Sequence, residues 1–254
     1  MGERIVYSTL CALEGASPES LEPLMEMARL WASHLRGPAG FDGRILLITN
    51  LPDLHVEGAE PVAASIRATD RRELFLERVR QYPVITPAPG DRIMQLDLDA
   101  LAVAPLDGLF EVARPGTLMA ARSGLSPLHP DHAGPMLSRP ARWGYRLRGW
   151  SLRRGVSACV TVCDGASWGE LMGRWAEAFE SVGSGRRIPT LGDQSFLNYL
   201  FLTGGARVRR LPGSWIHHFR RPGAPLDDPA AAGATILHFP IPRKLEEMRR
   251  WSRC

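Results

Sequence analysis

Residues 91–110 read DRIMQLDLDALAVAPLDGLF, a short apolar run that carries two carboxylates. Proline and glycine come directly before the run and a proline follows at position 105, so its length predicts a buried strand rather than a helix. Asp97 and Asp99 stand at the end of this strand, and its two-residue repeat directs both to the same side. Two adjacent carboxylates are unfavourable unless a cation binds them, and ligands of open α/β sheets lie at the carboxyl ends of strands. The run therefore predicts a metal and phosphate site.

The composition is that of an ordinary globular protein. The chain has 254 residues, of which 44% are hydrophobic and 23% charged, and this length suits one α/β domain better than two. The net charge of +4 comes from scattered arginines and a basic C-terminus, without the basic stripe with interleaved aromatics that nucleic-acid binding needs. We therefore expect no nucleic-acid partner, whereas an anionic small substrate or an anionic membrane surface fits the charge.

The cysteines and the N-terminus predict a cytoplasmic protein. The chain has four cysteines, Cys11, Cys159, Cys163 and Cys254, and their spacing matches no zinc or redox motif. Two of them lie in apolar runs, which favours reduced thiols in the core. The first residues lead straight into a strand without the apolar segment of a signal peptide. No apolar run approaches the length of a transmembrane helix.

Strands and helices alternate along the first half of the chain. Strands are predicted at 4–10, 44–49, 62–66 and 93–98, with helices at 18–35 and 70–79 between them. This order predicts a parallel sheet with right-handed crossovers. Later strands are predicted at 117–121, 156–163, 206–211, 214–219 and 235–239, and later helices at 168–179, 191–201 and, as a basic terminal helix, within 243–254.

Residues 123–150 are rich in proline, glycine, arginine and histidine and have no clear period. They are interpreted as a long functional loop or lid. His129 and His132 lie there and are expected to be exposed loop histidines without a metal role. His217 and His218 are likewise interpreted as structural, and the arginines at 71–80 and 207–221 as solvated.

Four segments in sequence order resemble the retaining glycosyltransferases of family 8, the group of glycogenin and the bacterial lipopolysaccharide galactosyltransferases. They read IVYST at 5–9, IMQLDLDALAVAPLDGLF at 93–110, GDQSFLN at 192–198 and ILHFPIPRK at 236–244. The resemblance spans nearly the whole chain and implies a single domain, 1–254, of the glycosyltransferase A type, with a mixed, mainly parallel central sheet flanked by helices. It also implies transfer of a hexose, with retention, from a UDP-sugar to a saccharide or other hydroxyl acceptor, with 123–150 on the acceptor side.

The resemblance assigns a metal site. It implies that Asp97, Asp99 and His238 bind Mn²⁺ or Mg²⁺, since hard oxygen ligands suit these ions. Asp97 serves equally well as a ribose ligand. Lys244, six residues after His238, is implied to bind the diphosphate.

The remaining residue roles are also implied by the resemblance. Asp193 and Gln194 would face the donor sugar and its reacting carbon, with helix capping as the alternative. Other substrate contacts are assigned to Tyr7 and Thr9 for the nucleobase, to Ser157 for the donor sugar, and to Arg72 or its neighbour Arg71 as the basic residue of the helix before the metal strand.

The sequence departs from the family at four places. Ile241 replaces a glycine, Leu245-Glu246 replaces a Pro-Trp pair, Ser157 replaces an asparagine and Ser195 replaces an acid. These departures leave a non-catalytic nucleotide-sugar-binding or scaffold protein open. A nucleotidyltransferase on a similar sheet also stays open, although residues 11–17 lack the basic side chain that its first loop usually has. The basic C-terminus predicts weak contact with an anionic membrane, with a helix packed on the domain as the alternative.

Overall fold

The structure is a computed structural model that describes residues 2–51, 53–183, 192–225 and 229–253. Its strands are β1 (Arg4–Leu10), β2 (Arg44–Thr49), β3 (Glu60–Ala63), β4 (Arg92–Leu96), β5 (Ala100–Ala102), β6 (Leu118–Arg122), β7 (Val156–Asp164), β8 (Val208–Arg210), β9 (Ile216–His218) and β10 (Ile236–His238). Its α-helices are α1 (Pro18–Arg36), α2 (Arg71–Gln81), α3 (Asp107–Glu111), α4 (Arg139–Leu147), α5 (Gly165–Gly183), α6 (Asp193–Thr203), α7 (Pro229–Ala232) and α8 (Lys244–Trp251). Single 3₁₀ turns occur at Tyr82–Val84, Gly134–Met136 and Trp150–Leu152.

Seven strands form a central sheet in the order β3-β2-β1-β4-β7-β6-β8. Four of its six pairings are parallel, and β7 runs antiparallel to both of its neighbours. A second sheet of three strands has the order β5-β10-β9. The mixed, mainly parallel sheet predicted from the sequence is confirmed.

Both faces of the central sheet are buried, as the near-continuous apolar strands require. Along β1 the side chains alternate between two cores. Tyr7 belongs to the core that holds Trp168 and Trp175 of α5, whereas Val6 belongs to the core that holds Trp31 of α1. The predicted start of α1 is confirmed by Ser17, whose Oγ accepts a hydrogen bond from the Ser20 amide at 3.3 Å.

The strand before the two carboxylates ends earlier than the sequence predicts. β4 stops at Leu96: the Asp97 amide still donates to the Cys159 carbonyl of β7 at 2.9 Å, but the chain then turns, and the Ala100 amide donates to the Asp97 carbonyl at 3.0 Å. Asp97 and Asp99 therefore lie in the turn from β4 to β5, not at alternate positions of one strand. The third strand is also shifted, to Glu60–Ala63 instead of 62–66.

The segment 123–150 contains more regular structure than predicted. Helix α4 begins after Ser138, whose Oγ accepts from the Ala141 amide, and has a proline in its first turn. This start signal is present in the sequence, but the surrounding proline, glycine and arginine residues obscure it. The expectation of a wholly irregular loop was therefore wrong, whereas its role as a lid stays a prediction.

Helix α8 packs against α1. Met248 and Trp251 are buried there, and Arg249 forms an ion pair with Glu26. Within the described ranges, no helix combines the length and the apolar character needed to cross a membrane. Three cysteines are buried and free, as expected for core thiols, while Cys254 lies outside the described residues.

Asn198 joins α6 to β7 through buried hydrogen bonds. Its Oδ1 accepts from the Val156 amide at 2.9 Å, and its Nδ2 donates to the Val156 carbonyl at 2.8 Å and to the Gln194 carbonyl at 2.9 Å. Asn198→Ala leaves these groups unpaired, so we expect the free energy of unfolding to fall by about 3 kcal/mol in urea titrations at neutral pH. The control on the same helix is Thr203→Ala, at an exposed position, for which we expect a change below about 0.5 kcal/mol. Equal stability of the two variants would contradict the assigned anchoring role.

Candidate functional site

A cleft of about 640 Å³ opens at the edge of the central sheet where β1 and β4 end and β7 begins. Most of the residues singled out from the sequence line it: Thr9, Asp97, Asp99, Ser157, Asp193, Gln194, His238 and Lys244. This is the edge at which ligands bind in open α/β sheets.

Asp97, Asp99 and His238 converge in this cleft. The antiparallel pairing of β5 with β10 places His238 opposite Ala100, and His238 Nε2 lies 3.4 Å from Asp99 Oδ1. One ligand atom from each of the three residues lies within 4.8 Å of the others. The family resemblance implies that Asp99 and His238 share a metal site, and the structure places their side chains side by side. The second, smaller sheet brings them together.

The three side chains have strongly perturbed proton affinities. Burial and the charge of Asp99 raise the pKa of Asp97 to about 6. Although burial acts in the opposite direction, hydrogen bonds and charges from His238 and Lys244 hold the pKa of Asp99 well below its ordinary value. Burial also disfavours the charged form of His238, yet neighbouring Cys159 and Asp99 raise its pKa well above the usual range. Two carboxylates and an imidazole at these distances fit a small hard divalent cation, whose charge would offset the repulsion between the two carboxylates.

Lys244 begins α8 beside the same carboxylates. Its Nζ donates to Asp99 Oδ2 at 2.5 Å, and the preceding Arg243 adopts a left-handed backbone with φ of 61°. The ammonium therefore neutralises Asp99 in this structure. A cation bound to Asp99 would free Lys244 for an anionic ligand.

Arg78 is a site residue, so the interpretation of the arginines at 71–80 as solvated was wrong for this one: its side chain is 19% exposed and lines the cleft. Its Nε donates to Thr9 Oγ1 at 2.9 Å, and its Nη2 lies 3.6 Å from Asp97 Oδ1. The family resemblance implies Arg71 or Arg72 of the same helix for this role, and the side chains of these two arginines lie outside the described residues. Leu74, four residues before Arg78 on the same helix face, also lines the cleft, but nothing in the local sequence distinguishes Arg78 from the other arginines of α2.

Gln194 and Ser157 meet across the cleft. Gln194 Oε1 accepts from Ser157 Oγ at 2.6 Å and from the Ala158 amide at 3.3 Å. Asp193 Oδ1 accepts from the Gln194 amide at 2.8 Å, which is a contact of the helix N-terminus. The structure thus places Gln194 and Ser157 together, while their contacts with a donor sugar stay a prediction.

His132 is buried rather than exposed, so the expectation for this residue was wrong. The 3₁₀ turn at 134–136 folds the loop beneath α6, and Gln194 Nε2 donates to His132 Nε2 at 2.9 Å. Its Nδ1 lies 3.0 Å from the Ser126 carbonyl, which accepts the hydrogen bond. Nothing in the local sequence distinguishes this histidine from His129, three residues before it.

Burial of His132 predicts a loss of stability in acid. Burial lowers its pKa from 6.5 to about 4, so the unfolded chain binds the extra proton as the pH falls from about 6.5 to 4. The contribution of neutral His132 to the free energy of unfolding is fully present above pH 6.5, and about 2 kcal/mol of it is lost by pH 5. We expect the difference in unfolding free energy between the wild type and His132→Gln to shrink by that amount between pH 7 and pH 5. His129→Gln, at a more exposed ring, is the matched control; parallel pH curves for wild type and His132→Gln would contradict the prediction.

Tyr7 is the predicted site residue that the structure does not bring to the cleft. Its ring is fully buried, 5.5 Å from Tyr82 and 5.3 Å from Trp168 between ring centroids. The contact with a nucleobase implied for Tyr7 therefore has no room, because its side chain points into the core. Thr9, two residues further and at the end of β1, lines the cleft.

Two departures from the family pattern have defined places. Ile241 is nearly buried and lines the cleft close to Lys244, where its side chain occupies space that a glycine would leave open. Ser195 is fully buried, and its Oγ donates to the Asp131 carbonyl at 2.9 Å. Ser195 is thus a structural residue that ties α6 to the loop after β6.

Comparisons of the whole structure with solved structures find glycosyltransferases. Mouse xyloside xylosyltransferase 1 in its apo form matches with a TM-score of 0.54 and 17% identity, over 92% of this chain and 97% of that one. The galactosyltransferase LgtC in complex with donor and acceptor sugar analogues matches with a TM-score of 0.58 and 13% identity, over 98% and 95%. The glycosyltransferase GlyE of Streptococcus pneumoniae TIGR4 matches with a TM-score of 0.55 and 16% identity, over 99% of this chain and 61% of that one.

Sequence comparisons give no such match. No protein-family model matches the chain, and no curated protein matches it. The structural likeness, at these low identities, establishes the fold: the chain has the glycosyltransferase A architecture.

Proposed function

We propose that this protein is a retaining glycosyltransferase that moves a hexose from a UDP-sugar to an acceptor hydroxyl with the help of a divalent cation. The observation that carries the proposal is the convergence of Asp97, Asp99, His238 and Lys244 in the cleft that also holds Gln194. The fold is shared with a xylosyltransferase and with a galactosyltransferase that was solved with donor and acceptor sugar analogues, which supports the same class of reaction here.

The difficult step is departure of the diphosphate. Asp97, Asp99 and His238 would hold Mn²⁺ or Mg²⁺, which supplies positive charge to the leaving phosphate oxygens. Lys244 would bind the same diphosphate through a charge-assisted hydrogen bond. Arg78, held by Thr9 at the other side of Asp97, orients this carboxylate.

Gln194 would lie beside the reacting carbon. Its carboxamide is oriented by Ser157 and His132, which together hold both ends of the group. The Asp193 carboxylate accepts a hydrogen bond from the Gln194 amide in the first turn of α6. This contact suits a residue that stabilises the start of the helix rather than a nucleophile that attacks the sugar carbon. We therefore favour front-face transfer: the acceptor oxygen bonds to the sugar carbon as the bond from that carbon to phosphate breaks, and the leaving diphosphate takes the acceptor proton.

One other function has an observation in its favour, and a further one is disfavoured by the sequence. A non-catalytic nucleotide-sugar-binding protein is favoured by Ile241, whose side chain narrows the cleft beside Lys244. A nucleotidyltransferase would need basic groups in the loop after β1, and residues 11–17 contain none. Calorimetric titration with UDP, with and without Mn²⁺, followed by sugar release from a panel of UDP-sugars, separates these functions.

We expect UDP to bind only with Mn²⁺ or Mg²⁺ and one UDP-hexose to be turned over. Binding without turnover of any donor would favour the non-catalytic protein. Absence of UDP binding under all conditions would overturn the proposal.

Weak contact of α8 with an anionic membrane is a minor part of the proposal. Since Met248 and Trp251 are buried against α1, such contact would be electrostatic and would rest on exposed residues such as Arg243 and Arg253. Equal sedimentation with neutral and anionic vesicles at low salt would refute it.

A further inference from the structure

A second pocket, of about 540 Å³, lies along the same edge of the central sheet as the cleft. Strands β4 and β6 are both antiparallel to β7 and therefore end at the same edge. β4 leads into the cleft, whereas β6 ends at Arg122 in the second pocket. We name this second pocket the basic pocket; its polar lining residues are Arg122, Ser123, Arg154, Ser214, His217, His218 and Arg220.

The basic pocket has an excess of positive charge. Among the residues that the structure describes, no aspartate or glutamate lines the basic pocket, and Arg122, Arg154 and Arg220 form no ion pair. Two further arginines, Arg153 and Arg210, lie close by: besides burial, the charges of Arg122 and Arg153 lower the pKa of Arg210. Several unneutralised guanidinium groups around a concave site attract an anion, because arginine binds phosphate and carboxylate with paired hydrogen bonds.

Only one layer of side chains separates the basic pocket from the cleft. His218 lines the basic pocket, and its Nδ1 lies 2.9 Å from Nδ1 of His238, which lines the cleft. On its other side, His238 lies 3.4 Å from Asp99. An anion held by the arginines would thus sit next to the place where the donor diphosphate is proposed to bind.

We propose that the basic pocket binds the acceptor, and that the acceptor is an anionic saccharide whose phosphate group is held by Arg122, Arg154 and Arg220. This inference rests on the proposed transferase function and specifies the substrate class of the same site. The phosphate anchors the acceptor in the basic pocket, and the saccharide hydroxyl reaches past His218 toward the donor.

The test compares glucose 6-phosphate with glucose as probes, in calorimetric titrations at low salt without added metal. We expect the wild type to bind glucose 6-phosphate and not glucose. The double variant Arg122→Gln/Arg220→Gln should lose at least about tenfold in affinity, as expected for lost charge-assisted hydrogen bonds. Both arginines are exposed, so the variant should melt at the wild-type temperature.

Two controls locate the anion. Arg146→Gln removes an exposed arginine of α4 outside the basic pocket and should leave the affinity unchanged. Lys244→Ala removes the phosphate-binding ammonium of the cleft and should also leave glucose 6-phosphate affinity unchanged. Equal binding of glucose and glucose 6-phosphate, a loss confined to Lys244→Ala, or the same loss in Arg146→Gln would each overturn the inference.

The phosphate of the acceptor belongs either to a soluble saccharide or to a lipid-linked one. Vesicles of phosphatidylglycerol form the second arm of the test. If the wild type sediments with them and Arg122→Gln/Arg220→Gln does not, the acceptor is lipid-linked; if the wild type binds glucose 6-phosphate but not the vesicles, the acceptor is soluble.

UDP binding with Mn²⁺ should be the same in this double variant as in the wild type. If wild-type protein fails to bind UDP while glucose 6-phosphate binding still requires Arg122 and Arg220, the transferase function is overturned and the anion site stands.

Discussion

Asp99→Asn is expected to abolish Mn²⁺-dependent binding of UDP while the domain stays folded. The substitution keeps the shape of the side chain but removes the carboxylate that lies between His238 Nε2 and Lys244 Nζ. An amide is a weak ligand for Mn²⁺, so we expect UDP affinity with Mn²⁺ to fall to the level measured without metal. Calorimetric titration of UDP at fixed Mn²⁺ measures this loss.

The control is Asp42→Asn, which removes an exposed carboxylate that pairs with Arg4 far from the cleft. It should leave UDP affinity unchanged.

From the sequence alone, removal of one of two adjacent carboxylates is expected to stabilise the metal-free protein. The contacts of Asp99 with His238 and Lys244 reverse this expectation, and we expect Asp99→Asn to lower the unfolding free energy by about 1 kcal/mol. Undiminished Mn²⁺-dependent UDP binding in Asp99→Asn would remove Asp99 from the site.

Gln194→Ala is expected to lower turnover by about 10²–10³-fold while UDP affinity stays nearly unchanged, as for a group that acts mainly in the transition state. The structure adds a cost in stability, because Ser157 Oγ, the Ala158 amide and His132 lose their partner. We expect about 1–3 kcal/mol from these unpaired groups. Turnover must therefore be expressed per folded molecule, with a urea titration on the same sample.

Ser157→Ala is the matched control, since it removes one hydrogen bond to Gln194 and leaves the carboxamide in place. Its turnover should fall much less than that of Gln194→Ala. If turnover per folded molecule is the same in Gln194→Ala as in the wild type, Gln194 serves the fold alone.

The elements that the sequence predicts well are those fixed by local chemistry. β1 and β2 have the predicted bounds because each is an apolar run that is followed by residues typical of a loop or turn. α1 begins where Ser17 and Pro18 predict, since capping is determined by neighbouring residues. The juxtaposition of Asp99 and His238, 139 residues apart, follows from the family resemblance rather than from local pattern.

Features set by contacts between distant segments could not be predicted. β4 ends at Leu96, and the chain turns there into β5, which pairs with the distant strand β10. The burial of His132 depends on α6, and the inward position of Tyr7 depends on α5. Histidine and tyrosine side chains are found both on protein surfaces and in interiors, so the local sequence does not predict which position they take.

The most direct measurement is a crystal structure with Mn²⁺ and UDP, in which anomalous scattering locates the ion. The ion should lie about 2.0–2.5 Å from a carboxylate oxygen of Asp99 and from Nε2 of His238, with Asp97 and the diphosphate oxygens completing its shell. Lys244 should move from Asp99 to the diphosphate. UDP bound in the cleft with Mn²⁺ elsewhere, or an ion that contacts neither Asp99 nor His238, would contradict the assignment of the metal site and the transferase function built on it.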